Sequence, residues 1–389
     1  TYNVAVGYAA GSGMSTGIQN TLIGGLAGDA LTDADINVAV GYGALSSDTL
    51  GSKSVAVGKN ALFSQNFTTA TDTLNTGVGH NAGAQITTGV DNTLIGGLAG
   101  DALTVGNNNV ALGRSALGAD TKGDRAVAIG NYALNAQNFT TTTDTYNVAI
   151  GYNAGGGVST GQNNTLIGAL SGDSMTTGSN NVGVGVHAIG GGNVTGDDNT
   201  AMGFNAGSAL TSGSNNLFLG HDAGLSGSPG GQFAASNNTM VLGDENISQC
   251  FIQVDWTVSS DERDKTEFSE LDLGLDFVKA LEPVTYYWDK RSKYGDKYAD
   301  DYDLSAQTPD GTHKEDWMDI GFKAQAVRDL EEAAGYTAAA KKNLTVSLTQ
   351  DGKQYSLKYE KFIPILVKAI KDQDAIITSL TARVAALES

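Results

Sequence analysis

The chain has 389 residues, of which 40% are hydrophobic and 17% charged, enough apolar content for a packed core and long enough for more than one domain. Its formal net charge of -19 argues against nucleic acid, because neutralising phosphates takes clustered Lys and Arg. A single cysteine, Cys250, excludes an intrachain disulfide framework and is read as a buried free thiol, and no apolar run reaches the length of a membrane span.

The charges and glycines are unevenly placed. Residues 1–249 hold five cations (Lys53, Lys59, Arg114, Lys122, Arg125) and 46 of the 52 glycines, whereas residues 250–389 hold 18 cations and six glycines. Two architectures are therefore joined near residue 250.

The first of them is a repeat. A glycine that closes Asn-Val-Ala-Val-Gly or a relative of it recurs from Gly7 through Gly24, Gly41 and Gly58 to Gly243, mostly at steps of 17 residues. Two steps are lengthened to 21, at Gly58–Gly79 and Gly130–Gly151, and these lie 72 residues apart, so a four-rung block is duplicated. Thr1 falls inside a repeat, so the chain reads as a fragment whose anchoring part lies upstream.

Alternation before each glycine (Val4-Ala5-Val6, Thr21-Leu22-Ile23) predicts a short strand with one buried face. We expect the aliphatic residue next to the glycine to face the core, and the small residues such as Ala39 and Ala56 to face a second, closely packed side where three chains associate. Asn opens most strands, which predicts a structural asparagine ladder along a parallel stack. A rung of 17 residues has room for two short strands and two turns, and buries its apolar face only by stacking. The repeat resembles the head repeats of trimeric autotransporter adhesins, and that resemblance implies a parallel β-roll, a trimer and adhesion.

The lengthened steps carry Ser64-Gln65-Asn66-Phe67-Thr68-Thr69 and Ala136-Gln137-Asn138-Phe139-Thr140-Thr141. An aromatic among amides and hydroxyls in a solenoid insertion suits contact with a carbohydrate, making Gln65, Asn66, Phe67, Gln137, Asn138 and Phe139 candidate receptor-contact residues, against the plainer reading of a duplicated loop that extends a turn. Asp29, Asp101 and Asp173 read as solvated turn carboxylates, and His80, His187 and His221 stand alone within their rungs, so no metal ligand set and no cofactor site is expected. Paired carboxylates for glycoside hydrolysis are also missing from the rung pattern.

Past the join, Leu271, Leu275, Phe277, Val278 and Leu281 predict a helix ended by Pro283, then a strand at Val284–Trp288. A second helix is expected through Glu332, and a hairpin around Asp351-Gly352. Ile363, Leu366, Ile370, Gln373, Ile377, Leu380, Val384 and Leu387 alternate steps of three and four, the seam of a coiled coil. These segments are similar to the intramolecular chaperone domain of phage endosialidase tail spikes. The resemblance rests on Ser260-Asp261-x-Arg263-x-Lys265, on Leu273-Gly274-Leu275 through Trp288, on Gly321-Phe322-x-Ala324-Gln325-x-Val327, and on Tyr359-x-x-Phe362-Ile363-Pro364 through Ile370.

That resemblance implies a domain that trimerises, drives folding of the fibre before it, and cuts itself off between Ser259 and Ser260, with Ser260 as nucleophile and Lys265 as base. Asp264, next to the base, stands where the family has an apolar residue, and a carboxylate there favours the charged lysine.

The expected fold is mainly β: a parallel β-roll solenoid at 1–245, a linker at 246–259, a small α+β chaperone domain at 260–362 and a coiled-coil helix at 363–389. The expected protein is a homotrimeric phage tail fibre or spike that binds a host cell-surface glycan or protein receptor. It is made in the host cytoplasm and assembled with other tail proteins on the virion, with no nucleic-acid partner and no membrane insertion. The alternatives are a glycan-degrading tail spike enzyme and a cellular trimeric adhesin.

Overall fold

The computed structural model describes residues 2–253, 256–299, 301–337, 342, 344–349 and 351–388. Two compact units divide between Asp244 and Glu245.

The N-terminal unit is a parallel β-solenoid. Fourteen three-residue strands, from Val4–Val6 to Met240–Leu242, stack in sequence order into one parallel sheet, each in register with the strand one rung later. Every rung turns at its glycine. Gly24 has φ +133°, and a Cβ there would sit 2.6 Å from the carbonyl oxygen of Gly41 in the next rung, so both dihedral and space demand glycine. A second strand per rung is rare: among the described residues two-residue pairs form beside the insertions, at Gly51–Ser52 with Thr71–Asp72 and Gly123–Asp124 with Thr143–Asp144, and an isolated parallel bridge joins Met175 to Val194. Turns take up the rest of the rung, because a 17-residue circuit of this width spends its length on reversals.

The face assignment is the opposite of the expected one. The central strand residue points inward (Leu22, Ala39, Ala56, Leu94, Ala111 and Phe218 are buried), while the flanking aliphatics Val4, Val6, Ile23, Ile95, Leu112, Ile150, Ile167 and Met202 are exposed. Alternation fixes that the faces differ but not which one is inside. Volume decides it. The interior is narrow and already receives leucines from the turns, such as Leu31, Leu45, Leu62 and Leu103, so alanine suffices at many strand centres. Where the centre is leucine, the turn residue four past the glycine is itself glycine: a Cβ on Gly28 would lie 2.8 Å from Leu22, and one on Gly100 2.8 Å from Leu94.

The asparagines line the other wall of the interior. Asn92 is fully buried, donates from Nδ2 to the Gly106 carbonyl (2.8 Å) and accepts the Asn109 backbone N–H at Oδ1 (3.0 Å). Asn109, Asn164 and Asn181 repeat both bonds on their own rungs. Each ladder residue thus satisfies one acceptor and one donor of a backbone turn that no strand pairing reaches.

In the C-terminal unit, α1 (Leu275–Ala280) is shorter than the expected helix. It is followed by Val284–Tyr286 paired antiparallel with Asp319–Gly321, by α2 (Ala324–Ala333), by the hairpin Val346–Leu348 with Tyr355–Leu357, and by α3 (Phe362–Glu388). Leu273, Phe277, Val327, Val346, Phe362 and Ile365 form its core, so the second, third and fourth resemblance segments converge on one cluster. Asp372 ties α3 to α1 by accepting the Leu275 N–H at 3.1 Å. Among the described residues no helix is long and apolar enough to cross a membrane.

Cys250 is exposed, which corrects the expected buried thiol: Ile247–Gln253 forms no regular structure, and its apolar neighbours Ile247, Phe251 and Ile252 are exposed as well. Val254 and Asp255, within the expected linker, lie outside the described residues.

Candidate active site

Ser260 and Lys265 lie on an irregular, exposed stretch of the C-terminal unit, and a single helical turn brings them together. Asp261 accepts the Arg263 N–H and so caps a 3-10 turn over Glu262–Asp264, which turns the chain back on itself. Lys265, at the far end of that turn, then reaches Ser260: Nζ lies 2.6 Å from Oγ and 3.1 Å from the Ser260 carbonyl oxygen. Five residues in extended chain would hold the two side chains far apart; the turn makes them neighbours.

Arg263 takes no part in this contact. Its guanidinium is held by Asp261, with Nη2 2.6 Å from Oδ2, and that pairing keeps the Asp261 carboxyl below its ordinary range. Asp261 is therefore ionised and occupied by its own arginine. Asp264 is the residue that set this chain apart from the expected motif, yet among the described residues it makes no ion pair with Lys265. Chemically the arrangement offers a hydroxyl in hydrogen-bond contact with an amine, the minimum for a base-activated nucleophile. Both groups are open to solvent in the single chain.

The insertion loops have a structural duty. Gln65, Phe67, Gln137 and Phe139 are buried, and of the six candidate contact residues only Asn66 and Asn138 are exposed. The reason lies in the ladder. Ser54 and Ala126 stand where asparagine belongs, and the glutamine that follows each gap takes over: Gln65 Nε2 donates to Ser54 Oγ (2.9 Å) while its Oε1 accepts from Asn75 (3.0 Å), and Gln137 Oε1 accepts from Asn147 (2.8 Å). Asp48 and Asp120, in equivalent positions, anchor both loops by accepting from the glutamine and from the Phe67 and Phe139 backbone N–H groups. Besides Asn66 and Asn138, the loops present Thr68, Thr69, Thr140 and Thr141 to solvent.

One grouping was invisible in the sequence. His221 reads there as an isolated histidine, but the last two rungs place Asp222 and Asp244 beside it. The repeat phase carries the missing signal, since His221 and Asp244 each follow the ladder glycine of their own rung.

Residues 260–336 match the family model described as chaperone of endosialidase. The match begins at Ser260 and covers Lys265, α1 and α2. No curated protein and no solved structure matches the chain.

Proposed function

We propose that this chain is a homotrimeric phage tail fibre or spike protein, displayed on the virion and binding a host-surface receptor through its solenoid. Its C-terminal unit acts as a trimerisation chaperone and cuts the chain between Ser259 and Ser260. The observation that carries the processing reading is the 2.6 Å contact between Ser260 Oγ and Lys265 Nζ at the first residue of the chaperone-family segment.

In this reading Lys265 takes the Ser260 proton as Oγ attacks the carbonyl carbon of Ser259, the C–N bond between the two residues breaks as that proton passes to the Ser260 nitrogen, and water hydrolyses the resulting ester. A lysine acts as a base only after losing its own proton, and removal from solvent favours the neutral amine. In the single chain Lys265 is exposed. Cleavage is therefore coupled to assembly, with neighbouring copies covering the amine.

Two surfaces support self-association. The seam of α3 (Ile363, Leu366, Ile370, Ile377, Leu380, Val384, Leu387) is exposed, while the residues that hold α3 to its own unit, Phe362, Ile365 and Ala369, lie on another face. The solenoid likewise carries its flanking aliphatics in register along the sheet, exposed on rungs such as those of Ile23, Ile95, Leu112, Ile167 and Met202 and half-buried on others such as that of Val38–Val40, and the surface that matches such a periodic stripe over its whole length is another copy of the same stripe. A stacked array of near-identical rungs has no unique register between chains, so a separate trimerising unit supplies the alignment.

Mass spectrometry of the denatured expressed protein tests the processing claim. Wild type should give two fragments split at Ser259–Ser260, and Ser260→Ala or Lys265→Met a single intact chain. An intact 40.0 kDa wild-type chain from purified trimer would overturn it.

A further inference from the structure

We propose that the C-terminal end of the solenoid holds a divalent transition-metal ion, Zn2+ by its chemistry, on His221 Nδ1, Asp222 Oδ2 and Asp244 Oδ2. The three donors come from two consecutive rungs that are 23 residues apart, the longest step in the array. Nδ1 of His221 lies 3.2 Å from Asp222 Oδ2 and 3.3 Å from Asp244 Oδ2. A tetrahedral ion with bonds of about 2.0 Å has ligand-to-ligand edges of about 3.3 Å, so the nitrogen stands at ligand spacing from each oxygen, and all three donor atoms lie within 4.8 Å of one another.

A plain ion pair accounts for this arrangement less well. Nδ1 carries at most one hydrogen and so makes one good hydrogen bond, yet two carboxylate oxygens face it at nearly equal distance. Both carboxylates are almost fully buried, 1% exposed for Asp222 and 5% for Asp244, and each turns an oxygen to the same nitrogen. A divalent cation between them would take an electron pair from all three donors at once.

The donors are also held from behind, as metal ligands are. Asn205 Nδ2 donates to Asp222 Oδ1 at 3.0 Å, fixing the carboxylate whose Oδ2 faces His221. The His221 ring stacks on Phe204, one rung earlier, with centroids 5.3 Å apart, which orients Nδ1 inward. His221 is 54% exposed, so an ion has a way in and a water can complete the coordination. Imidazole nitrogen with carboxylate oxygen suits Zn2+ or Co2+; Ca2+ prefers an all-oxygen shell of six or more ligands.

The test uses the full chain stripped with chelator. Calorimetric titration with Zn2+ should give one site per chain, with Ca2+ failing to compete. Co2+ in its place should give the visible absorption of a tetrahedral ion. His221→Ala should weaken Zn2+ binding at least tenfold, roughly the loss a single ligand-shell group causes, and abolish the cobalt band. His187→Ala, another histidine of the solenoid, should change neither. Equal binding by wild type and His221→Ala, or no binding by wild type, would show an ion pair only and overturn the proposal.

Discussion

Asn92 shows at the scale of a single residue why the repeat tolerates so little change on its inner wall. Replacing it with alanine removes the acceptor for the Asn109 N–H and the donor for the Gly106 carbonyl, both buried, while adding nothing to pack. At about 1–3 kcal/mol for each orphaned buried group, Asn92→Ala should cost about 2–6 kcal/mol, read as a fall in the urea midpoint. Asn92→Asp should do no better, since it keeps the acceptor, loses the donor and buries a charge. The ladder itself was legible, because asparagine at a fixed phase of a stacked repeat has few other uses. Its patches were not: that Gln65 stands in for the missing asparagine at Ser54 depends on a loop path that no periodicity encodes.

Aspartates on the turns behave differently. Burial raises the carboxyls of Asp101 and Asp173 above their ordinary 3.8, and for Asp173 the charge of His187 opposes the rise. A carboxyl raised in the folded state binds its proton more tightly there than in the unfolded chain. Its penalty is therefore absent below about pH 4 and grows as pH rises from there through the folded value. Asp101→Asn and Asp173→Asn should each raise the melting temperature at pH 7 and leave it unchanged at pH 3. A constant shift at both pH values would mean that something other than ionisation is at work.

At the scale of elements, the insertion loops join what sequence reading kept apart, a loop and a core. Phe67 and Phe139 pack inward beneath threonines that face solvent. Phe67→Ala should cost about 3–5 kcal/mol, as for other buried phenylalanines, whereas replacing Thr68 and Thr69 with serine should leave stability unchanged and weaken adsorption to host cells if the loop meets the receptor. Thermal unfolding and a cell-binding assay separate the two. The helices and the hairpin were legible from apolar period and from Asp351-Gly352, but α1 begins four residues later than Leu271 because its first turn waits for Asp372 of α3 to cap the Leu275 N–H. That partner lies 97 residues away in the chain, beyond any local signal.

For the molecule as a whole, the inverted face assignment matters most. Alternation showed two faces on every strand; only the volume left between turn leucines determined that alanine points in and Val, Ile and Met point out. In consequence the solenoid exposes an aliphatic stripe on its sheet. Lysine at Ile95 and Ile167, one on each of two well-separated rungs, should leave a folded single chain by circular dichroism and turn the proposed trimer into monomer in light scattering, since charges buried at an interface without partners are strongly disfavoured. A trimer that survives both substitutions would place the contact elsewhere. Ser260 and Lys265 were legible only through their place in a longer pattern, since a serine and a lysine five apart are common; the 3-10 turn that closes the gap is what the fold adds.

The glycine at the turn of every rung sets a unit of length. Because each carbonyl of that column fills the space where a side chain would start, successive rungs meet at one fixed spacing, about 4.8 Å for adjacent strands. The reach of the solenoid is therefore quantised: gain or loss of the 72-residue block of four rungs changes it by about 19 Å and leaves every remaining contact in phase. The length of such an array can be reset by recombination between repeats without redesigning a single rung.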